Sequence, residues 1–368
     1  MTEPTITTEQ TTGAPRGDLV HSTTADADLV DMLDGFFVEY RDARPAPSEI
    51  IDFDPGLWDQ LDELGLTRLT ASEDSGGSGA SWIEAAALLG LAAGAAAPVP
   101  LAEHDVLAAW LLEAAGLPND GMLRTVCRPD PAGRALNVTF GRNAASIVAL
   151  WEDGEQWRVA DVPADRVGIT EHRNLAGEPS DTIEFRLADL ADGTLVPDEI
   201  GEQFHLRGAL ARCAQVCGGL ERIVELTLTH ANEREQFGRP IGKFQLVQGL
   251  VSDLTAETAL ARAATDTAVA QAAHSDWQDP GMLFAVGVAK SCVGHASSVV
   301  VRNAHQVLGA IGTTLEHELH LLTKPVLVRR SEFGSIHEWD ETLMRLAASA
   351  GRDRLWPLIT TGRAAPQP

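Results

Sequence analysis

The sequence is short of positive charge and of cysteine. Its 368 residues include 28 lysines and arginines against 53 aspartates and glutamates, which gives a net charge of −25. Such a surface repels phosphate backbones and anionic lipids, and this argues against nucleic acid as a partner. The four cysteines form no CxxC pair and are too few for a disulfide scaffold, which favours a reducing, cytoplasmic location.

Metal-ligand spacing is also missing. Cys213 and Cys217 stand four residues apart on a helical pattern, but no second pair of ligands follows, so we expect both to face the core. His317 and His320 of "HELH" are three residues apart and have no third ligand. We therefore predict no metal site.

Long apolar runs are scarce. The N-terminus has acids and no apolar core, so it is not a signal peptide, and we predict a disordered arm over 1–25. The one long run, 85–102, is dominated by Ala and Gly and contains Pro98 and Pro100, which indicates a buried helix and no membrane span. The glycine-rich 72–81 lacks the Gly-Lys-Ser/Thr ending of a P-loop and reads as an interhelical loop.

Hydrophobic periodicity divides the chain into three parts. Helical spacing over the first part gives way to short alternating runs and then to long helical patterns. The fold class that we predict is mainly α with a small, shortened β domain. The expected divisions are a helical domain (26–120), a β domain (121–200), a C-terminal helical bundle (201–352) and a tail (353–368).

One segment, "REQFGRPIGKFQ" (234–245), concentrates glycines, a proline and three basic residues. Pro240 and the glycines end one helix and begin another, so the next helix starts with free backbone N–H groups beside Arg234 and Arg239. A helix start flanked by arginines suits an anion. The alternative is a solvated turn whose arginines pair with the many acids.

A second segment, "HQVLGAIGTTLEHELHLL" (305–322), combines a helix end with a glycine turn. Gln306 ends the helix, and Gly309 and Gly312 follow where a ligand or another backbone could approach closely.

Together these segments resemble the acyl-CoA dehydrogenase family. The specific matches are 234–254 and 306–322, and a weaker one covers 63–89, so the resemblance spans about residues 26–350. It implies an N-terminal helical domain, a middle β domain and a C-terminal four-helix bundle. It also implies an oxidoreductase that acts on acyl-CoA thioesters with FAD bound between subunits.

The same resemblance assigns residues to the adenylate half of FAD. It implies that Arg234 contacts the FAD pyrophosphate, and that Ala310 stands where the family has a second glycine. In family dimers these residues reach an FAD whose flavin ring is seated in the neighbouring subunit. The full set is Arg234, Phe237, Ile241, Phe244, Gln245, Gln306, Gly309 and Ala310.

The catalytic carboxylate of the family is missing. Dehydrogenation needs a base for the α-proton while flavin N5 accepts the β-hydride. The family's two alternative base positions fall on Phe333, just before Gly334, and on Gly208. Glu332 is one residue away, and a one-residue slip turns a side chain by about 100°. We therefore expect no catalytic residue in this chain, with Glu332 as the alternative.

The family's flavin-ring cradle is missing too. It resembles Cys-x-Thr-Glu-Pro-x-x-Gly-Ser-Asp followed by a Gly-x-Lys strand, and the segment 125–143 is too short for both. These losses predict the degenerate subunit of a heterotetramer, similar to those that actinobacteria use to shorten steroid side chains. A partner chain would hold the flavin ring and supply the Glu. The alternatives are a homomeric enzyme that uses Glu332 and a flavin-free scaffold.

Overall fold

The computed structural model describes residues 24–44 and 46–363. The predicted arm over 1–25 lies outside these residues, apart from Thr24 and Ala25. Helices dominate the structure, and a small β domain stands in the middle of the chain. The predicted fold class is therefore confirmed.

Three helices of the N-terminal domain begin at side-chain caps. Asp26 accepts hydrogen bonds from the first turn of one helix, Asp54 caps the next, and Ser81 forms a capping box with Glu84. The elements are α1 (Ala27–Ala43), α2 (Pro55–Glu63), α3 (Trp82–Gly94) and a π-helical segment (Ala102–Ala109) that continues as α4 (Trp110–Ala114).

The π-helical segment was not predicted. It contains three consecutive ionisable residues, Glu103, His104 and Asp105, and all three are buried. Each reaches a different neighbour, because a helix buried on all sides turns successive side chains in different directions. This segment is the joint between the N-terminal domain, the β domain and the bundle.

The β domain contains two small sheets and one short helix. The first sheet has the strand order β1-β3-β4-β7, with β1 parallel to β3 and the other pairs antiparallel, and the second has the order β2-β6-β5. The elements are β1 (Arg124–Cys127), β2 (Arg134–Thr139), β3 (Ser146–Asp153), β4 (Gln156–Pro163), β5 (Gly168–Thr170), β6 (Ser180–Glu184), α5 (Leu187–Ala191) and β7 (Thr194–Val196).

The C-terminal bundle is formed by long helices around α6. It comprises α6 (Glu199–Glu233), the hairpin of β8 (Glu235–Gln236) and β9 (Arg239–Pro240), α7 (Gln245–Ser275), α8 (Met282–Leu308), α9 (His320–Arg329), α10 (Ile336–Ala350) and α11 (Leu355–Thr361). The last helix lies within the segment that was expected to be a tail.

Helix α6 is the core of the bundle. Cys213 and Cys217 on it are fully buried, as predicted. Helix α3 crosses α6 at Gly90 and Gly218, where a Cβ on Gly218 would lie 1.9 Å from the Gly90 carbonyl oxygen. The stretch Met282–Thr313 is long and apolar enough to cross a membrane, but 61% of its most apolar window is buried inside the bundle.

Candidate functional site

The hairpin between α6 and α7 presents the first predicted motif on the surface. Arg234 ends α6, and the Ile241 N–H donates to its carbonyl at 2.8 Å, which closes the hairpin. Phe237 and Gly238 form the tip, both with positive φ. A left-handed conformation is unfavourable by about 1–2 kcal/mol for a residue with a Cβ, and the Phe237 side chain is 92% exposed. A strained, exposed phenyl ring is a feature that stability alone does not explain.

Several predicted site residues come together around this hairpin. The ring centroids of Phe237 and Phe244 are 6.1 Å apart, edge to face, and the Arg239 guanidinium stacks 4.3 Å over Phe244. Gln245 begins α7 and is exposed, and Ile241 lies in the short 3₁₀ turn before it. The exposed Arg234 side chain has no ion pair or hydrogen bond within the described ranges. Its charge is therefore available to a ligand.

The second motif lies at the same end of the bundle. Helices α6 and α8 run in one direction and α7 in the other, so the end of α8 is beside the end of α6. Gln306 and Ala310 are exposed, and Gly309 has a φ of 63° with open space where a Cβ would stand. Burial lowers the pKa of His317, and His230 on α6 and His305 on α8 act in the same direction across this end.

The two predicted base positions face each other. A Cβ on Gly208 would lie 2.2 Å from Cε1 of Phe333, so the phenyl ring fills the space in front of this glycine. The ring also packs against Phe204 at 5.8 Å, and Trp339 Nε1 donates to the Phe333 carbonyl at 2.9 Å. Positions 125 residues apart in sequence thus form one site. That site contains a phenyl ring and a glycine, and neither can accept a proton.

Glu332 forms an ion pair beside this site, with an arginine whose guanidinium carbon lies 5.7 Å from the Phe333 ring centroid. Arg212 Nε donates to its carboxylate at 2.5 Å, and Arg212 also binds Glu103 at 2.5 Å and Gln215 at 2.9 Å. Burial opposes ionisation of Glu332, but Arg212 and then Arg329 hold its pKa below the usual value. A carboxylate with a lowered pKa and a committed partner is poorly suited to take a proton. Arg329 itself pairs with Glu178.

Main-chain hydrogen bonds fix the backbone of this turn. Lys290, only 2% exposed, donates to the carbonyls of Arg330 at 3.0 Å and Glu332 at 2.7 Å. Sequence reasoning missed this residue. The signal was present, since a lysine inside an apolar helix needs a polar partner.

The connection between β1 and β2 is too short to carry the flavin-ring motif of the family. Residues 128–133 alone connect β1 to β2. They form a tight turn in which Asp130 Oδ1 accepts from the N–H groups of Ala132 and Arg134, both at 2.9 Å. The exposed Arg234 suits the pyrophosphate of FAD, whereas the segment 128–133 does not suit the flavin ring.

Comparisons with known proteins agree with this architecture. Residues 202–337 match the family description "Acyl-CoA dehydrogenase, C-terminal domain". The chain is 28% identical over 288 residues to acyl-CoA dehydrogenase IpdE2 of Mycolicibacterium smegmatis, which covers 76% of this chain and 84% of that protein.

Two solved structures share the fold. The ChsE4-ChsE5 complex of Mycobacterium tuberculosis matches with a TM-score of 0.77 and 23% identity, over 90% of this chain and 100% of that one. A variant of the Tcur3481-Tcur3483 steroid ACAD matches with a TM-score of 0.72 and 20% identity, over 88% and 97%. Residues 202–337 therefore carry an acyl-CoA dehydrogenase C-terminal domain, and the chain as a whole is similar to acyl-CoA dehydrogenases in sequence and in fold.

Proposed function

We propose that this chain is the non-catalytic subunit of a heteromeric, FAD-dependent acyl-CoA dehydrogenase of the cytoplasm. It lends the adenylate side of an FAD site to a partner acyl-CoA dehydrogenase chain, which holds the flavin ring and supplies the catalytic Glu. The reaction is the α,β-dehydrogenation of an acyl-CoA thioester.

The contact between Gly208 and Phe333 carries this proposal. Removal of an α-proton needs a base in reach of the substrate. Both positions that the family resemblance assigns to that base meet at one point, and the phenyl ring occupies it. Glu332, the remaining candidate, is committed to Arg212. The chemistry therefore belongs to another chain.

The surface around Arg234 supports the shared FAD site. Bound FAD would accept the hydride that leaves the substrate. Here Arg234 and the free N–H groups at the start of α7 would hold its pyrophosphate, while Phe237 and Gln306 would lie against its adenylate half. The exposed, strained position of Phe237 favours a role in contact with a ligand or a second chain.

The substrate class comes from the compared proteins. One solved structure with this fold is a complex of two different chains, and another is described as a steroid ACAD. We extend both features to this chain and propose a heterotetramer that acts on a bulky, sterol-derived acyl-CoA.

Co-expression tests the proposal. The chain is produced with the acyl-CoA dehydrogenase chain encoded beside it, and FAD is quantified in the purified complex. We expect about one FAD per pair of unlike chains. Arg234→Ala should weaken FAD binding by at least about tenfold, because it removes a charge-assisted contact to the pyrophosphate. Arg134→Ala, which removes an exposed arginine of β2, is the matched control and should change nothing.

Each other outcome contradicts part of the proposal. A yellow, active protein obtained from this chain alone would identify a homomeric enzyme that uses Glu332. A stable complex without flavin would identify a scaffold. Unchanged FAD content in Arg234→Ala would show that this residue does not contribute to the site.

A further inference from the structure

A buried arginine lies in a tryptophan cage far from the FAD motifs. Arg207 of α6 is 8% exposed, and its guanidinium carbon lies 4.3 Å from the ring centroid of Trp110, 4.7 Å from that of Trp277 and 5.9 Å from that of Trp82. The four residues come from separate elements: α3, α4, α6 and the turn after α7. Three aromatic faces around one cation stabilise its charge but offer it no hydrogen-bond acceptor.

One hydrogen-bond donor of Arg207 is buried without a partner. This donor is its Nε atom, and no carboxylate among the described residues lies within ion-pair distance of Arg207. The Nε1 atom of Trp277 is also buried without a partner. Buried donors are nearly always satisfied, and a guanidinium needs acceptors more than most groups. The missing acceptor is therefore expected from outside the chain.

A cavity adjoins this arginine. It has a volume of about 200 Å³ and is lined by Arg207, Trp82, Trp110 and small residues, among them Ala71, Ala272 and Ala273. A space of this volume suits one small organic molecule or several waters.

The rim of the cavity carries the opposite charge. Glu113 and Asp276 line it and are exposed. Glu113 is oriented by hydrogen bonds from the Ser72 N–H at 2.9 Å and the Ser75 hydroxyl at 2.9 Å. A cationic floor with two anionic groups at the mouth is complementary to a molecule with both charges.

The backbone beside the cavity is strained. Asp276 and Trp277 are consecutive and have φ values of 46° and 63°, although neither is glycine. Each left-handed residue is unfavourable by about 1–2 kcal/mol, and such strain concentrates at functional sites. Here the left-handed backbone positions the Asp276 carboxylate at the rim of the cavity and the Trp277 ring in the cage.

We propose that this cavity binds a small zwitterion, with a carboxylate on Arg207 and an ammonium group toward Glu113 and Asp276. This would be a ligand site separate from the FAD surface, and it goes beyond the proposed dehydrogenase function.

Three probes of similar size test the site in the full-length chain, in the form in which it purifies. They are β-alanine, which has both charges, propionate, which has the carboxylate, and propylammonium, which has the cation. Calorimetry and tryptophan fluorescence report binding. We expect β-alanine to bind most tightly, propionate more weakly and propylammonium not at all. Equal binding of β-alanine and propionate would overturn the zwitterionic assignment, and no binding of any probe would overturn the site.

Two variants separate binding from folding. Arg207→Met should weaken β-alanine binding at least about tenfold, because the charged hydrogen bonds are lost. Without ligand it should melt no lower than the parent, since an unsatisfied guanidinium is replaced by an apolar side chain. Ala273→Leu fills the cavity, leaves Arg207 in place and should also abolish binding. Melting several degrees lower in Arg207→Met, together with unchanged binding in Ala273→Leu, would show a purely structural arginine.

Discussion

The contact between Gly208 and Phe333 can be tested without any partner chain. Gly208→Ala adds a methyl group that would lie 2.2 Å from the Phe333 ring. The ring packs against Phe204, and the backbone that carries it is held by hydrogen bonds from Trp339 and Lys290, so relief of the contact requires repacking. Overpacking of this kind destabilises by about 1–3 kcal/mol, which exceeds the gain of up to about 1 kcal/mol from replacing a helical glycine. We expect a net loss of about 1–2 kcal/mol.

Removal of the ring should reverse this effect. Phe333 is half-buried, so Phe333→Ala should destabilise by about 1–3 kcal/mol, less than a fully buried phenylalanine. In the double variant the new methyl group enters vacated space. The coupling energy between the two changes should therefore be favourable by about 1–3 kcal/mol.

Urea unfolding of the four proteins measures this cycle. Gly249→Ala is the matched control, since Gly249 also lies in a helix but has no atom within 4 Å of an added Cβ. It should be neutral or slightly stabilising. If the costs of Gly208→Ala and Phe333→Ala simply add, the two base positions do not meet, and the main support for a non-catalytic chain is lost.

Two further predictions concern the carboxylates of Glu332 and Asp105. Glu332→Gln should lower the free energy of unfolding by about 1–3 kcal/mol, while turnover of the co-purified complex stays the same. Glu341, which pairs with His337 on the surface, is the control, and Glu341→Gln should change neither quantity. Reduced turnover in Glu332→Gln would reinstate Glu332 as the base. Burial raises the pKa of Asp105 to about 7, so the folded state keeps a proton that the unfolded state loses near pH 4, and the free energy of unfolding should fall as the pH rises through this window. Burial lowers the pKa of the neighbouring His104 to about 4, which gives the opposite slope up to about pH 6.5. The free energy of unfolding, measured from pH 4 to 7, should therefore rise with pH more steeply in Asp105→Asn than in the parent. Identical slopes of this free energy against pH would contradict the raised pKa of Asp105.

Local sequence patterns predicted most of the architecture. Helical periodicity was readable over α1 and α3, because their caps and apolar spacing lie in the same few residues. The short connection between β1 and β2 follows from chain length alone. The segments 234–245 and 305–322, which the resemblance assigns to FAD, lie at one end of the bundle, and their role in binding FAD stays a prediction.

Features that depend on distant contacts were not predictable. The π-helical segment exists where Glu103, His104 and Asp105 each find a buried partner in another element. The sequence shows that three ionisable residues interrupt an apolar segment, but it does not show which distant residues they contact. The cage around Arg207 is assembled from four distant positions, and no spacing rule connects them.

Under the proposed function, a single carboxylate introduced at position 208 would not make this chain active. It would need the space of the Phe333 ring, and α8 and α10 hold the backbone that carries this ring through hydrogen bonds to the carbonyls of Glu332 and Phe333. Even with the ring removed, the carboxylate would lie beside a β domain whose β1–β2 turn is closed by Asp130. The base and the flavin-ring cradle have to return together. Under the proposed function each is useless without the other, so loss of either one would remove the constraint on the second, while the exposed Arg234 surface would still be needed by the partner chain.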